Sequence, residues 1–536
     1  MGAKEVLVAV GAALGVAVAA SLTYRQLRKK KAERKGKKPL PKMTASLFEV
    51  TMNFTGPHMP QYLTFLSRTQ PSVAVAPFPR WQTTVICSDP QAAKAIFAKC
   101  GKDYYYYGVL DAFLFGSTVF TDPSTKPAQR KDLLRAFDAR SIEHFRTVSD
   151  SLAQEWLAKR AGTDQDFDLC HDMLMLALQT VSKAGFDYDM THAEADVFLE
   201  TAGVAAKEAL CQVYNPMRRF LCTVGILDNN ARVNKVALKA WKVASDIMEH
   251  YKKTRNDDKA PVGAAIFNSK CYEDDHHRLR DAIVVLLAAH DTTAFQTSWC
   301  INDLARFPKI QSELRRQLRA CPQENWSKEV PLLSAVVKES QRLNSVGVAV
   351  FREAQEDVDL PSGHYIEAGS SIVVDIYDCL RNPEYFENPD DYTPERWLGT
   401  PEENQKLNSS FIAFTTGLRS CIGQSLAAAQ LRSLIGCLVR DFEIVRTQHP
   451  TPSHALTWEP HGLRIKLRPV ESPEKPEPVA APVSPPLTLL PGTGEVSSEK
   501  GSIAKEHEHE MGESTGRQVG ENWRERTPAE SRRSRG

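Results

Sequence analysis

Apolar and polar positions divide the chain into four stretches. Residues 6–24 carry no charge and are rich in Val, Ala and Leu. At about 1.5 Å per helical residue such a run nearly crosses a hydrocarbon core of about 30 Å, so residues 1–24 are expected to form an N-terminal membrane anchor. Pro39-Leu40-Pro41 ends any helix and predicts a stiff hinge over 25–42. Residues 73–76 and 83–87 predict a short strand pair, and Pro90 opens a helix over 90–99, where a proline in the first turn gives up no hydrogen bond. From there to about residue 345 the helical period dominates without an internal repeat, and its longest apolar run covers 281–307. Residues 462–467 alternate as a strand. Beyond Pro469 large apolar side chains give way to Pro, Glu, Ser, Gly and Arg, a composition that cannot offset the entropy of ordering, so 470–536 are expected to be a disordered tail. A folded body over 43–469 remains.

Charge gives the first stretch a direction. Residues 25–38 hold nine Lys or Arg and one Glu, so the net charge of +1 conceals an acidic body in which no nucleic-acid face is expected. A basic cluster following an apolar run belongs on the cytosolic side, which predicts a single-pass membrane protein whose body faces the cytosol. A cleaved signal or transit peptide is the alternative, although a signal peptide carries its basic residues in front. N-myristoylation fails because Val6 stands where Ser or Thr is required. The eleven cysteines form no Cys-x-x-Cys pair and no regular framework, as expected of small buried residues in a reducing compartment. In the tail, His507 and His509 are solvated polar residues or, less simply, weak metal ligands.

One cysteine differs. Residues 414–423 read Phe-Thr-Thr-Gly-Leu-Arg-Ser-Cys-Ile-Gly. A cysteine that binds a metal must be a thiolate, stabilised by the metal and by backbone N–H groups. Gly417 allows a tight turn against a flat partner, and Gly423 lets the next helix bring its positive end close to the sulfur. A buried structural cysteine in a glycine turn is the plainer reading. At Phe414, Gly417, Arg419, Cys421 and Gly423, however, the stretch resembles the Phe-x-x-Gly-x-Arg-x-Cys-x-Gly haem-binding loop of the cytochrome P-450 family. That resemblance implies haem b, with Cys421 as the axial thiolate ligand of its iron.

Two further stretches resemble the same family. Glu339 and Arg342 share one helix face, alone a common surface pair, but with Arg396 of Pro394-Glu395-Arg396-Trp397 they resemble its buried Glu-Arg-Arg network, which fixes the cysteine loop. Residues 288–293, Ala-Ala-His-Asp-Thr-Thr, resemble its oxygen-binding helix motif, with Ala289 where glycine is usual. An acid beside a hydroxyl in an apolar helix is locally costly and suggests a task. The resemblance implies that Thr292 hydrogen-bonds dioxygen and that Asp291 relays protons. Arg419, Arg352 and Arg130 fall at positions for the haem propionates, although each is otherwise an ordinary solvated arginine and Lys126 replaces the tryptophan usual before Arg130. Residues 344–350 lack the usual Pro-Pro pair but are expected to wall the substrate.

The resemblance covers about residues 43–469 and implies one mainly α domain with small β-sheets, the cytochrome P-450 fold, where length alone suggests about three domains. The implied activity is insertion of one oxygen atom from O2 into a small lipophilic substrate, with NADPH-derived electrons delivered by a flavoprotein NADPH reductase, cytochrome b5 being a second candidate partner. A reductase is expected to dock on Arg130, Lys131, Arg135 and Arg432. The endoplasmic reticulum membrane is the expected location. Tyr104 to Tyr107, Phe113 and Phe115 suggest a sterol or other lipid. A haem-binding sensor or ligand carrier without turnover is the second expectation, kept open by Lys126 and Ala289.

Overall fold

The computed structural model describes residues 37–46, 49–50, 59–77, 83–103, 107, 117–118, 127–161, 163, 165–214, 216–223, 226–227, 229–454 and 457–471. Residues 1–473 form one unit and 474–536 a second. The expected anchor, the basic cluster up to residue 36, Tyr104, Phe113, Phe115, Lys126, His507, His509 and the tail beyond residue 471 lie outside the described residues. Among the described residues no helix is long and apolar enough to cross a membrane.

Strands β1 (Val73–Ala76), β2 (Thr84–Cys87), β3 (Gly101–Lys102), β4 (Ala349–Glu353) and β5 (Ser371–Asp375) form one sheet in the order β1-β2-β5-β4-β3. β2 and β5 run parallel, with Val85 opposite Ile372, and the other neighbours are antiparallel. Every residue of β2 and β5 is buried, as expected of central strands covered on both faces. Among the described residues there are three smaller sheets besides it. The expected strand at 462–467 begins only at Arg464, because Gly462, at φ +74°, makes the turn before it. The expected hinge also ends sooner than residue 42: Lys38–Pro39 pairs in parallel with His364 and Tyr365, and Lys37 Nζ lies 2.5 Å from Asp359 Oδ1.

Helices α1 (Pro90–Lys99), α2 (Pro127–Arg135), α3 (Ala139–Arg160), α4 (Leu169–Phe186), α5 (Asp275–Arg306), α6 (Pro331–Leu343) and α7 (Gln424–Asp441) position the site. α1 has the bounds the sequence predicts, with the Asp89 side chain accepting from the Ala92 N–H. α5 is the spine: its 32 residues span about 48 Å. Ala282, Ile283 and Leu286 pack with Leu178 and Val181 of α4, while Phe295, Ile301 and Leu304 pack with Leu333 and Val336 of α6 and Leu434 and Leu438 of α7. A helix apolar on all sides finds its minimum inside a core. Its hydroxyls are satisfied along the helix itself, Thr297 donating to Thr293 O (2.7 Å) and Ser298 to Ala294 O (2.9 Å).

Two packing details are sharp enough to test. Gly436 lies under the Trp326 ring, where a Cβ would come within 2.5 Å of Cζ3. Gly436→Ala should therefore lower the unfolding free energy by about 1–3 kcal/mol in urea titrations. Asp303 is fully buried on α5 and accepts from Ser340 Oγ (2.8 Å) and Asn344 Nδ2 (2.9 Å), tying α5 to the end of α6. Burial pushes its carboxyl up to about 7 against the pull of Ser340, Arg306 and Asn344. The folded chain then holds a proton here that the unfolded chain, at about 4, has released. Stability from this group is complete below about pH 4 and is lost as the pH rises toward and through 7. Asp303→Asn should flatten the urea midpoint between pH 5 and 8 relative to the parent chain.

Candidate functional site

The loop before α7 is shaped by its own backbone. Gly417–Arg419 forms a 3-10 turn with Gly417 at φ +75°, and a Cβ on Gly417 would stand 3.0 Å from the Phe97 carbonyl oxygen. The positive φ and the close approach of the last turn of α1 both favour glycine here, and the second was not visible in the sequence. Thr415 takes a positive φ of 57° without being glycine, held by its N–H on Ile412 O (2.8 Å) and its hydroxyl on Arg419 O (3.2 Å). The turn closes when Cys421 N–H donates to Phe414 O (3.0 Å). From α2, Arg130 Nη2 donates to Ser420 O at 2.8 Å.

Cys421 is enclosed by protein on most sides, yet its side chain is exposed to open space. Burial pushes the thiol up, while the Gly423 N–H and the charge of Arg130 pull it down without reversing the direction. Gly423 caps α7, and a Cβ there would meet Cys421 Sγ only at 3.9 Å, an ordinary contact.

α5 supplies the other wall. It is buried from Thr293 to Leu304, but Ala288 and Thr292, one turn apart on the same face, are exposed. Thr292 Oγ1 donates to Ala288 O (2.8 Å), which leaves its lone pairs for the space beyond. A cavity lined by Thr292 and Gln296 of α5, Gln341 of α6, Phe414 and Leu431 joins this face to the cysteine loop. Asp291 is half-buried, and its Oδ2 accepts from Thr457 Oγ1 at 2.8 Å. Thr457 is held in turn because Trp458 N–H donates to Val346 O (2.9 Å) and Trp299 Nε1 donates to Trp458 O (2.9 Å). Sequence reasoning missed Thr457, which lies 166 residues from its partner. His290 is buried with its ring against the Leu286 and Leu287 carbonyls, and burial holds its pKa below the ordinary histidine value.

The expected ion network exists. Glu339 and Arg342 are both fully buried and pair in two bonds, Nε to Oε2 and Nη2 to Oε1, each 2.9 Å. Arg396 Nε donates to Oε1 (3.0 Å), and so does Thr393 N–H (3.0 Å). Trp397, unremarked in the sequence motif, donates Nε1 to Oε2 at 2.9 Å. Burial pushes the Glu339 carboxyl up, but Arg342, Thr393 and Arg396 together bring it below the ordinary value. Arg342 Nη1 also donates to Leu380 O (3.0 Å) and Pro389 O (2.6 Å), so one guanidinium gathers the irregular segment that leads to the loop.

Arg352, on β4, is buried over the Phe97 ring at 5.2 Å, and its Nη1 donates to Phe351 O (3.0 Å). Its Nε is buried with no hydrogen-bond partner among the described residues. Arg419 is half-buried beside the loop. A flat anionic prosthetic group suits these residues: a soft thiol facing open space, a buried guanidinium N–H still to be used, and the apolar side chains of Phe414 and Leu431 on the cavity beside the loop.

The family model described as Cytochrome P450 matches residues 45–467. The chain is 31% identical over 229 residues to cytochrome P450 315a1, mitochondrial, of Drosophila melanogaster, covering 42% of each chain. It is 24% identical over 417 residues to cytochrome P450 4F4 of Rattus norvegicus, covering 69% of this chain and 77% of that one. To the cholesterol side-chain cleavage enzyme, mitochondrial, of Hypanus americanus it is 34% identical over 173 residues, 31% of this chain and 33% of that one. The chain therefore spans less than half the length of the first and third of these relatives.

Glu339→Gln would leave Arg342 and Arg396 without their shared anion. It should destabilise the chain by about 3–5 kcal/mol in urea unfolding; a change under about 1 kcal/mol would show that the network does not organise this region.

Proposed function

The chain belongs to the cytochrome P450 family, and on that premise we propose that it is a haem-thiolate monooxygenase with Cys421 as the axial ligand. It would insert one oxygen atom of O2 into a lipophilic substrate, using electrons derived from NADPH. The observation that carries this reading is the exposed Cys421 thiol at one side of the site and the exposed Ala288–Thr292 stripe of an otherwise buried helix at another. Haem b, when bound, supplies the redox chemistry and the site of oxygen activation.

The chain's own residues have three tasks. Phe414 O and Arg130 fix the Ser420–Cys421 peptide from its N–H and its carbonyl, while the Gly423 N–H bonds the sulfur itself, so that the ligand is oriented before it binds. Arg352 and Arg419, with Arg130 behind them, offer guanidinium donors to the carboxylates of the group. Thr292, whose proton is committed to Ala288 O, can accept a hydrogen bond from the site, and Asp291, held at Oδ2 by Thr457, is the carboxylate that passes protons inward.

A lipid substrate is favoured by the apolar side chains of Val346 and Val348 after α6 and by one relative named for its action on cholesterol. Lys131 and Arg135, exposed on α2, are the best candidates for docking an electron-donating flavoprotein; Arg130 and Arg432 are only half-exposed. The endoplasmic reticulum is the location that a basic cluster following an apolar run supports, and two relatives bear mitochondrial names.

The reduced, carbon monoxide-treated protein should show a strongly red-shifted Soret band, and Cys421→Ser should abolish it. Asp291→Asn should keep that band and lower turnover by about 100-fold or more. A histidine-type spectrum in the parent protein would end the haem-thiolate reading, and substrate-induced spectral shifts without product would mark a carrier.

A further inference from the structure

At the end of β5 two buried acids stand together without a cation. Asp375 ends the strand and caps the short helix Ile376–Cys379, taking the Asp378 N–H on its Oδ1 at 3.1 Å. Asp375 is 0% exposed and Asp378 4%, and the Oδ2 atom of each is buried with no hydrogen-bond partner among the described residues. The two side chains lie within hydrogen-bonding reach of each other. The nearby guanidinium groups are engaged elsewhere. Arg381 donates to Leu343 O and to Tyr377 O (3.3 Å) and lies 3.6 Å from Asp390 Oδ1, while Arg68, on the helix Met59–Thr69, reaches Asp390 Oδ2 at 2.7 Å. Among the described residues neither Asp375 nor Asp378 forms an ion pair.

Two ionised carboxylates this close, buried and without a counter-charge, are not tolerated; a single proton between them removes one charge and supplies the missing donor. We propose that Asp375 and Asp378 share one proton in an O–H···O bond, and that this bond pins the short helix to the segment that walls the site. Few groups face the pair: Cys87 from β2, Thr64 and Arg68 from the helix Met59–Thr69, Tyr377 and Arg381 from the pair's own segment, and Asp390 beyond Arg381. Burial raises both carboxyls, Asp375 well above the ordinary value, and the Asp375 side chain, Arg381, Thr64 and Arg68 pull Asp378 down without reversing the direction. The folded pair therefore keeps a proton that the unfolded chain, at about 4, has released. The stability it contributes is complete below about pH 4 and is lost as the pH rises through the value of the folded pair. The pin reaches the site because Tyr377 N–H donates to Val348 O (3.1 Å) and Asp375 stands opposite Ala349 on β4. That half rests on Val346 and Val348 as the lipid wall proposed above; the shared proton does not.

Infrared spectra of the haem-loaded full chain test the shared proton, with Asp303→Asn as the background so that the proton on Asp303 does not overlap. A carboxylic acid C=O band present at neutral pH should be lost on adding Asp375→Asn, which offers an N–H in place of the O–H at the same net charge. The decline of the urea midpoint between about pH 6 and 9 should flatten in the same variant. Asp378→Asn carries the same expectations and replaces the first variant if that one does not fold. Hydrogen exchange at the Tyr377 amide, corrected for its intrinsic pH dependence, should quicken several-fold with rising pH in the background chain and stay constant in either asparagine variant. An acid band that neither variant removes, an unchanged slope of the midpoint, or a cation between the two carboxyls in a crystal structure overturns the shared proton. Tyr377 exchange that does not change with pH overturns the pin. Absence of a thiolate spectrum in the parent chain would refute the proposed function and leave the infrared and urea results to decide the proton by themselves.

Discussion

One buried carboxylate organises the irregular segment that precedes the cysteine loop. Glu339 receives two bonds from Arg342 and one each from Arg396, Thr393 N–H and Trp397. An ionised carboxylate with no water around it is tolerable only when its lone pairs are filled by well-placed donors, and this one is filled from two distant parts of the chain. The consequence is mechanical. Arg342 and Arg396 reach on to the carbonyls of Leu380, Glu387, Pro389 and Asp391, so a stretch with little regular structure acquires the rigidity of a helix end. Lys338, next to Glu339, lies 4.2 Å above the Trp397 ring and 5.1 Å above Phe411, closing the network with aromatic faces. The stretch from Phe411 to the cysteine hangs from this anchor.

α5 obeys the opposite constraint. Most of its length is apolar and pinned between α4, α6 and α7, so any polar group on it has to be satisfied internally or face the site. Thr297 and Ser298 choose the first course and Thr292 combines the two. Asp303 is the exception that binds helices together: its carboxyl, pushed up by burial, joins α5 to Ser340 and Asn344 at the end of α6, one turn and less from the Glu339 network. The segment leading to the cysteine loop and the hydroxyl-bearing helix are thus held to the same helix, α6, from its two sides.

The local parts of this architecture were legible in the sequence and the tertiary ones were not. Pro90 announces α1 because a helix start is decided by neighbouring residues, and the strand pair at residues 73–87 needs only a short connection. The spacing of Glu339, Arg342, Arg396 and Cys421 was readable because it resembles a known pattern, and the network's geometry agrees with it. Thr457 on Asp291 was unreadable, since nothing near residue 457 announces a partner 166 residues away. The approach of Gly417 to the Phe97 carbonyl was equally unreadable, because that contact is with another element. Gln296 and Gln341 passed without notice: a glutamine in a helix is ordinary until both faces around it are known to be buried.

Arg130 shows how the loop and its surroundings support each other. As an isolated half-buried guanidinium it is disfavoured, burial being the first influence on it and lowering its pKa. The influence that opposes burial is Cys421, whose ionised form would raise the Arg130 pKa just as the Arg130 charge pulls down that of the thiol. Each charged form makes the other less costly, an interaction that strengthens where water is excluded. Arg130 also donates to the Ser420 carbonyl, so the cation is fixed one residue from the sulfur and cannot relax away from it. A solvated lysine or arginine elsewhere on α2 would supply charge without that restraint. Arg130 is therefore held to the cysteine loop by its bond to the Ser420 carbonyl, where its charge lowers the cost of ionising Cys421.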